Sequence, residues 1–127
     1  MLRGLTKVQR LLLALVFFSA TSLTTIGARA DEVTFDVNLE NGRAPANMRL
    51  IRVRQGDVVK LRWRSDRPIA LHLHGYDIET KVEPGAVAEM VFTARATGRF
   101  SIEPHLPKTG GGHDHGAVVV RIEVYPR

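Results

Sequence analysis

From Asp31 onward, alternation of apolar and polar residues at a period of two dominates the chain. Val33, Phe35 and Val37 follow this pattern, as do Val59, Leu61 and Trp63. Successive side chains of a β-strand point to opposite faces, so this period is typical of strands with one buried face. No window sustains a helical period over three turns, so the pattern predicts an all-β fold.

Turn signals divide this alternating region into short segments about ten residues apart. Asn41-Gly42, Gln55-Gly56-Asp57 and Pro84-Gly85 are examples. The predicted strands are Val33–Val37, Leu50–Val53, Val58–Arg64, Ile69–His74, Ile78–Val82, Val87–Ala94, Phe100–Glu103 and Ala117–Val124. Seven or eight short strands at this spacing indicate a Greek-key β-sandwich or barrel.

The first 30 residues have the features of a secretory signal peptide. Basic residues precede the apolar run Leu11–Ala20, and the small residues Ala28 and Ala30 occupy the positions read by a signal peptidase. The apolar run is too short to cross a bilayer stably, although an uncleaved anchor is the alternative. We therefore expect cleavage before Asp31, export to the periplasm and a domain of residues 31–127.

Charge excludes nucleic acid as an expected partner. Beyond residue 30 the chain has 14 basic and 13 acidic residues, so the exported domain is nearly neutral at +1. We also expect no stable membrane insertion after cleavage. Eight basic residues between Arg43 and Arg67 form one local excess. They are either outward-facing residues on alternating strand positions or a docking face for an acidic protein partner.

The chain contains no cysteine, so it has neither disulfides nor thiolate ligands. Its five histidines all fall between residues 72 and 115. These candidate metal ligands are His72, His74, His105, His113 and His115. Imidazole sites without thiolate suit Cu(II), Zn(II) and Ni(II), of which Cu(II) binds most tightly. Copper is therefore the favoured metal, with zinc as an alternative.

The placement of the histidines strengthens this hypothesis. His72 and His74 alternate with Leu71 and Leu73, so we expect the two imidazoles on one face of a strand. His105 follows a later strand. His113 and His115 lie within residues 108–116, a glycine-rich segment that we interpret as a mobile loop able to fold onto the same ion.

Each histidine also has an ordinary structural interpretation. His72 could hydrogen-bond a backbone carbonyl, and the two loop histidines could be solvated. Met90 is in phase with Ala88 and Phe92, which favours a core residue over a thioether ligand.

The order of motifs in the second half of the chain resembles the cupredoxin family. His-Gly-Tyr-Asp at residues 74–77, Val-Glu-Pro-Gly at 82–85 and Thr-Gly-Arg-Phe-Ser-Ile-Glu at 97–103 carry the resemblance. It extends from about Val58 to Val124 and implies a cupredoxin-like sandwich. The first histidine ligand of the family corresponds to His74, but the cysteine ligand corresponds to Pro104. A blue copper centre is therefore not expected, because its copper–thiolate bond has no donor here.

These observations predict a periplasmic protein that sequesters or delivers copper through a thiolate-free histidine site. No nucleophile–base pair or carboxylate pair stands out, so we do not expect an enzyme. One alternative is an electron-transfer or redox accessory with an atypical copper site. The other is a metal-free cupredoxin-like interaction module.

Overall fold

The computed structural model describes residues 27, 29–107 and 113–127, without side-chain detail at 106–107 and 113–115. The predicted signal peptide and the centre of the predicted glycine-rich loop lie outside the described residues. In the described part of the chain, no helix is long and apolar enough to cross a membrane. The one helical element of that part is a 3-10 turn at Ala46–Met48.

The described residues form nine strands. They are β1 Glu32–Leu39, β2 Leu50–Arg54, β3 Val58–Ser65, β4 Ile69–Leu73, β5 Ile78–Val82, β6 Ala88–Thr93, β7 Gly98–Pro107, β8 His113–His115 and β9 Val120–Tyr125. All eight predicted strands are present, which confirms the all-β prediction.

The strands form two sheets. The first has three strands in the order β1-β3-β6, with β1 and β3 parallel. The second has six, in the order β2-β9-β7-β4-β5, with β8 also paired to β7. Parallel pairing of β2 with β9 joins distant parts of the sequence. The architecture is a β-sandwich, as predicted.

One hydrophobic core fills the space between the sheets. Trp63 and Leu61 come from the three-stranded sheet, and Leu71, Leu73 and Ile102 come from the six-stranded sheet, all fully buried. Met90 is also buried, which confirms its predicted core role. Because inward residues alternate with outward ones, each core strand also has an outer face.

Two details of the sequence interpretation are wrong. Residues 113–115 form β8 rather than a loop, because their backbone pairs with Leu106 and its neighbours on β7. The last strand begins at Val120 rather than at the predicted Ala117. Before it, Val118 is 41% exposed, whereas Val119 is buried and donates its backbone N–H to the carbonyl oxygen of Ile102.

The basic residues between Arg43 and Arg67 do not form one face. Arg52 and Arg54 project from β2, whereas Lys60 and Arg64 project from β3 in the opposite sheet. Several are paired within the chain, for example Lys60 with Glu32 at 3.2 Å. The structure therefore fits outward-facing residues on alternating strand positions and gives no support to a single acidic-partner face.

Candidate metal centre

His72 lies on the outer face of the six-stranded sheet, in a row of three polar residues. It stands opposite Glu79 on β5 and Glu103 on β7. Directly opposed residues share a sheet face, so the imidazole has a carboxylate on either side. Leu71 and Leu73 point the other way into the core, which confirms the predicted alternation.

A tight turn holds His74 at the end of β4. The backbone N–H of His74 donates to Ser101 O at 2.9 Å. Gly75 follows with a φ of +85°, and a Cβ at that position would lie 2.7 Å from the ring of Phe100. Glycine is therefore required here both for its backbone conformation and for the close approach of the aromatic ring.

The third imidazole of the cluster comes from β7. His105 Nδ1 lies 3.2 Å from Glu79 Oε2, so this histidine shares a carboxylate neighbour with His72. The ring centroids of His72 and His74 are 4.6 Å apart, and those of His72 and His105 are 6.4 Å apart. Three of the five predicted ligands are thus brought together from two strands and a turn.

Carboxylates hold the other two imidazoles as well. His72 Nε2 is 3.2 Å from Asp77 Oδ1, and His74 Nε2 is 3.1 Å from Glu103 Oε2. A carboxylate on one ring nitrogen fixes the orientation and tautomer of the imidazole, as it does around protein-bound metals.

The cluster is partly shielded from water. The side chains of His72 and His105 are 20% and 26% exposed, and Glu103 is 17% exposed. His74 is more open at 35%. The donor chemistry suits a divalent cation, yet among the described residues no three ligand side chains form a ready metal-binding group.

The remaining predicted ligands lie on β8. Its backbone register places His115 opposite His105, and His113 opposite Pro107. The side chains of His113 and His115 are outside the described detail, so the structure places only their strand beside the cluster.

A blue copper centre does not fit this structure. Pro104, which the resemblance predicts to stand in place of a cysteine ligand, lies opposite Leu71 on the inward side of β7. Its ring packs against the backbone of Gly116, where a Cβ would lie 3.1 Å away. This position supplies no donor atom, and the chain has no cysteine to replace it.

The three carboxylates of the cluster are not apparent from the sequence. Asp77, Glu79 and Glu103 are spread over 27 positions and follow no recognisable ligand spacing. A period-two reading of β5 and β7 places both glutamates on outward positions. Only the strand register reveals that they flank His72.

Comparison with known proteins identifies the fold. No family model matches the chain, and no curated protein matches it. A chain of a heme-copper terminal oxidase dimer has 16% identity and a TM-score of 0.59, covering 93% of this chain and 92% of its own length.

Two further structures are similar. The periplasmic domain of cytochrome oxidase subunit II from Bradyrhizobium japonicum has 19% identity and a TM-score of 0.58, covering 77% of this chain and 86% of that domain. A copper-binding protein in its apo form has 12% identity and a TM-score of 0.54, covering 76% of this chain and 91% of its own. At such identities the likeness concerns architecture, and by that architecture the chain has a cupredoxin-like β-sandwich fold.

Proposed function

We propose that this protein binds Cu(II) on the outer face of its six-stranded sheet and sequesters or delivers the ion in the periplasm. His72, His74 and His105 are the proposed ligands within the described side chains. His113 and His115 are proposed as further ligands from β8. The proposal includes no enzymatic reaction.

One observation carries the proposal: three imidazoles from separate positions converge on one sheet face, each held by a carboxylate. The centroid separations of 4.6 and 6.4 Å put all three rings within reach of one region. Carboxylate partners also raise the basicity of an imidazole toward a metal.

Donor chemistry favours copper over other ions. Neutral imidazole binds Cu(II) more tightly than Zn(II) or Ni(II) at comparable geometry. Three carboxylates around the rings add negative charge that attracts a dication. The fold is shared with a protein described as copper-binding, which supports the same choice of metal. Zinc is the competing ion to test.

A proposed signal peptide supports a role in handling metal outside the cytoplasm. The basic start, apolar run and Ala-Arg-Ala sequence at residues 28–30 form the proposed signal peptide. Expression of the full chain in a bacterial host should yield a periplasmic protein. Its intact mass should correspond to a chain that begins at Asp31. A cytoplasmic or membrane-bound full-length product would contradict this part of the proposal.

Calorimetric titration of the chelator-treated protein with Cu(II) and Zn(II) tests metal binding. We expect one Cu(II) to bind with a dissociation constant below about 1 μM, and Zn(II) to bind more weakly. The double variant His72→Ala and His105→Ala should weaken Cu(II) binding at least 100-fold. Its matched control replaces Lys60 and Arg64 by alanine on the opposite sheet and should bind as the wild type does.

Acid should oppose binding, because a metal ligand must be deprotonated and uptake of the ion releases protons. Lowering the pH should therefore weaken copper binding. Absence of binding tighter than about micromolar at neutral pH, or equal binding by the double variant, would contradict the proposed function.

A further inference from the structure

The outer face of the six-stranded sheet has an arginine half, formed by β2, β9 and the start of β7. Its members are Arg52, Arg54, Arg99, Arg121, Glu123 and Tyr125. Glu123 is nearly buried and contacts Arg99 at 2.7 Å and Arg52 at 3.1 Å. With four arginines and one glutamate, this half carries a clear positive charge.

The same face has a histidine half, formed by β4, β5 and the end of β7. Its members are His72, His74, Asp77, Glu79, Lys81, Glu103 and His105. Three carboxylates and one lysine give this half a negative charge while the imidazoles are neutral. One continuous sheet face is therefore positive at one side and negative at the other.

We infer that this polarised face binds a second copy of the same chain. A two-fold axis lying in the interface, between the two halves, would place each arginine half over the histidine half of the other copy. Such an isologous contact uses one pair of complementary surfaces twice. No other partner is needed to supply the complementary charge, because both signs are already on this face.

The arginine half exposes both charged and apolar groups that a second copy could contact. Arg54 and Arg121 are exposed, and neither forms an ion pair among the described residues. Tyr125 and Leu50 on the same side are 45% and 37% exposed, which adds apolar area to the contact. Residues 31–127 carry a net charge of only +1, so overall repulsion between two copies is weak.

This inference does not rest on metal binding and is tested with chelator present. Sedimentation velocity of the purified protein over a concentration series measures self-association at 10 mM and at 150 mM salt. The screening length falls from about 30 Å to about 8 Å between these conditions. We expect a monomer–dimer equilibrium at low salt and an association constant at least tenfold smaller at the higher salt.

Two charge variants define the contact. The first, Arg54→Glu with Arg121→Glu, makes both halves of the face negative. The second, Asp77→Asn with Glu79→Lys, makes both halves positive. Each should be monomeric alone, whereas an equimolar mixture should form a heterodimer, because the unlike faces attract each other.

A control variant, Lys60→Glu with Arg64→Glu, makes on the three-stranded sheet the same change in net charge as the first charge variant, Arg54→Glu with Arg121→Glu. It should dimerise as the wild type does, and circular dichroism should show native folding for all variants. A wild type that stays monomeric at low salt would overturn the inference. So would a mixture of the two folded variants that forms no heterodimer.

Discussion

The two outer faces of the sandwich use the same strand geometry for different chemistry. On the three-stranded sheet, Lys60 contacts Glu32 at 3.2 Å and Arg62 contacts Asp36 at 3.3 Å. On the six-stranded sheet, the carboxylate partners belong to imidazoles such as His74, at 3.1 Å from Glu103. Both sets link neighbouring strands across a solvent-facing surface.

The difference lies in what each cation can do. Lysine and arginine keep their protons at neutral pH and offer no lone pair to a metal. Imidazole loses its charge near neutrality and is then a strong ligand for copper and zinc. The topology therefore provides outward-facing rows of residues on both sheets, whereas the identity of the residues decides which row can bind a metal.

The largest effect should come from breaking the turn that supports the histidine-bearing face. Gly75→Ala would combine a positive φ with a Cβ 2.7 Å from Phe100. We expect a loss of about 2–4 kcal/mol in the free energy of unfolding, measured by urea denaturation.

Gly85→Ala provides the matched control for that turn. Gly85 has a similar φ of +80° but nothing within 4 Å of the added Cβ. The loss in the free energy of unfolding should be limited to the cost of a positive φ for alanine, about 1–2 kcal/mol. Equal losses for the two variants would show that contact with Phe100 does not constrain the histidine turn.

A second prediction concerns the carboxylate that holds His74. Glu103→Gln should keep the shape of the side chain but remove its charge, weakening Cu(II) binding by about 10–100-fold. Glu89→Gln on the three-stranded sheet removes the same charge beside Arg62 and should leave copper affinity unchanged. Isothermal titration calorimetry measures the Cu(II) affinity of both variants. Similar affinities for the two would show that Glu103 does not contribute to the metal site.

A third prediction concerns acid stability in the arginine half. The hydroxyl of Tyr125 donates to Glu123 at 2.7 Å, and with Arg99 and Arg52 it lowers the pKa of that carboxyl. A lowered pKa in the folded state stabilises the fold above the unfolded-state value of about 4.3. This contribution is lost as the pH falls through the depressed folded-state value.

Comparison of wild type with Glu123→Gln isolates that contribution. The difference in unfolding free energy should be constant above about pH 5.5 and should shrink as the pH falls below about 4. Chemical denaturation at a series of pH values measures it. A difference that grows in acid would contradict the assigned role of the network.

The smallest effect should come from the ion pairs of the three-stranded sheet. Lys60 is 31% exposed and Glu32 is 63% exposed, so water and salt screen their interaction. Lys60→Met should therefore change the unfolding free energy by less than about 1 kcal/mol. A loss of unfolding free energy well above this value would show that this exposed ion pair stabilises the fold more than its exposure indicates. The two outer faces would then differ less in the strength of their ion pairs.

Local pattern was sufficient to predict most of the fold. Alternation places Leu71 and Leu73 on one strand face and His72 on the other, and turn residues separate the strands. Strand β8 was missed because three consecutive glycines at residues 110–112 indicate a loop, whereas β8 is defined by pairing with β7. Such pairing depends on residues distant in the sequence.

The candidate site was predicted only in part for the same reason. The imidazoles of His72 and His74 were placed on one face by their spacing alone. Their carboxylate partners depend on the register of β4 against β5 and β7, which no short motif encodes. The basic residues are likewise spread over two sheets, and this follows only from the strand pairing, which assigns β2 and β3 to opposite sheets.

Electron paramagnetic resonance of the Cu(II)-loaded protein tests the central claim most directly. We expect a spectrum of one bound Cu(II) with nitrogen hyperfine structure from imidazole ligands and without the features of a copper–thiolate bond. In the double variant His72→Ala and His74→Ala this signal should give way to that of unbound or weakly bound copper. A wild-type spectrum without nitrogen coupling, or one unchanged in the double variant, would contradict a histidine copper site on this face.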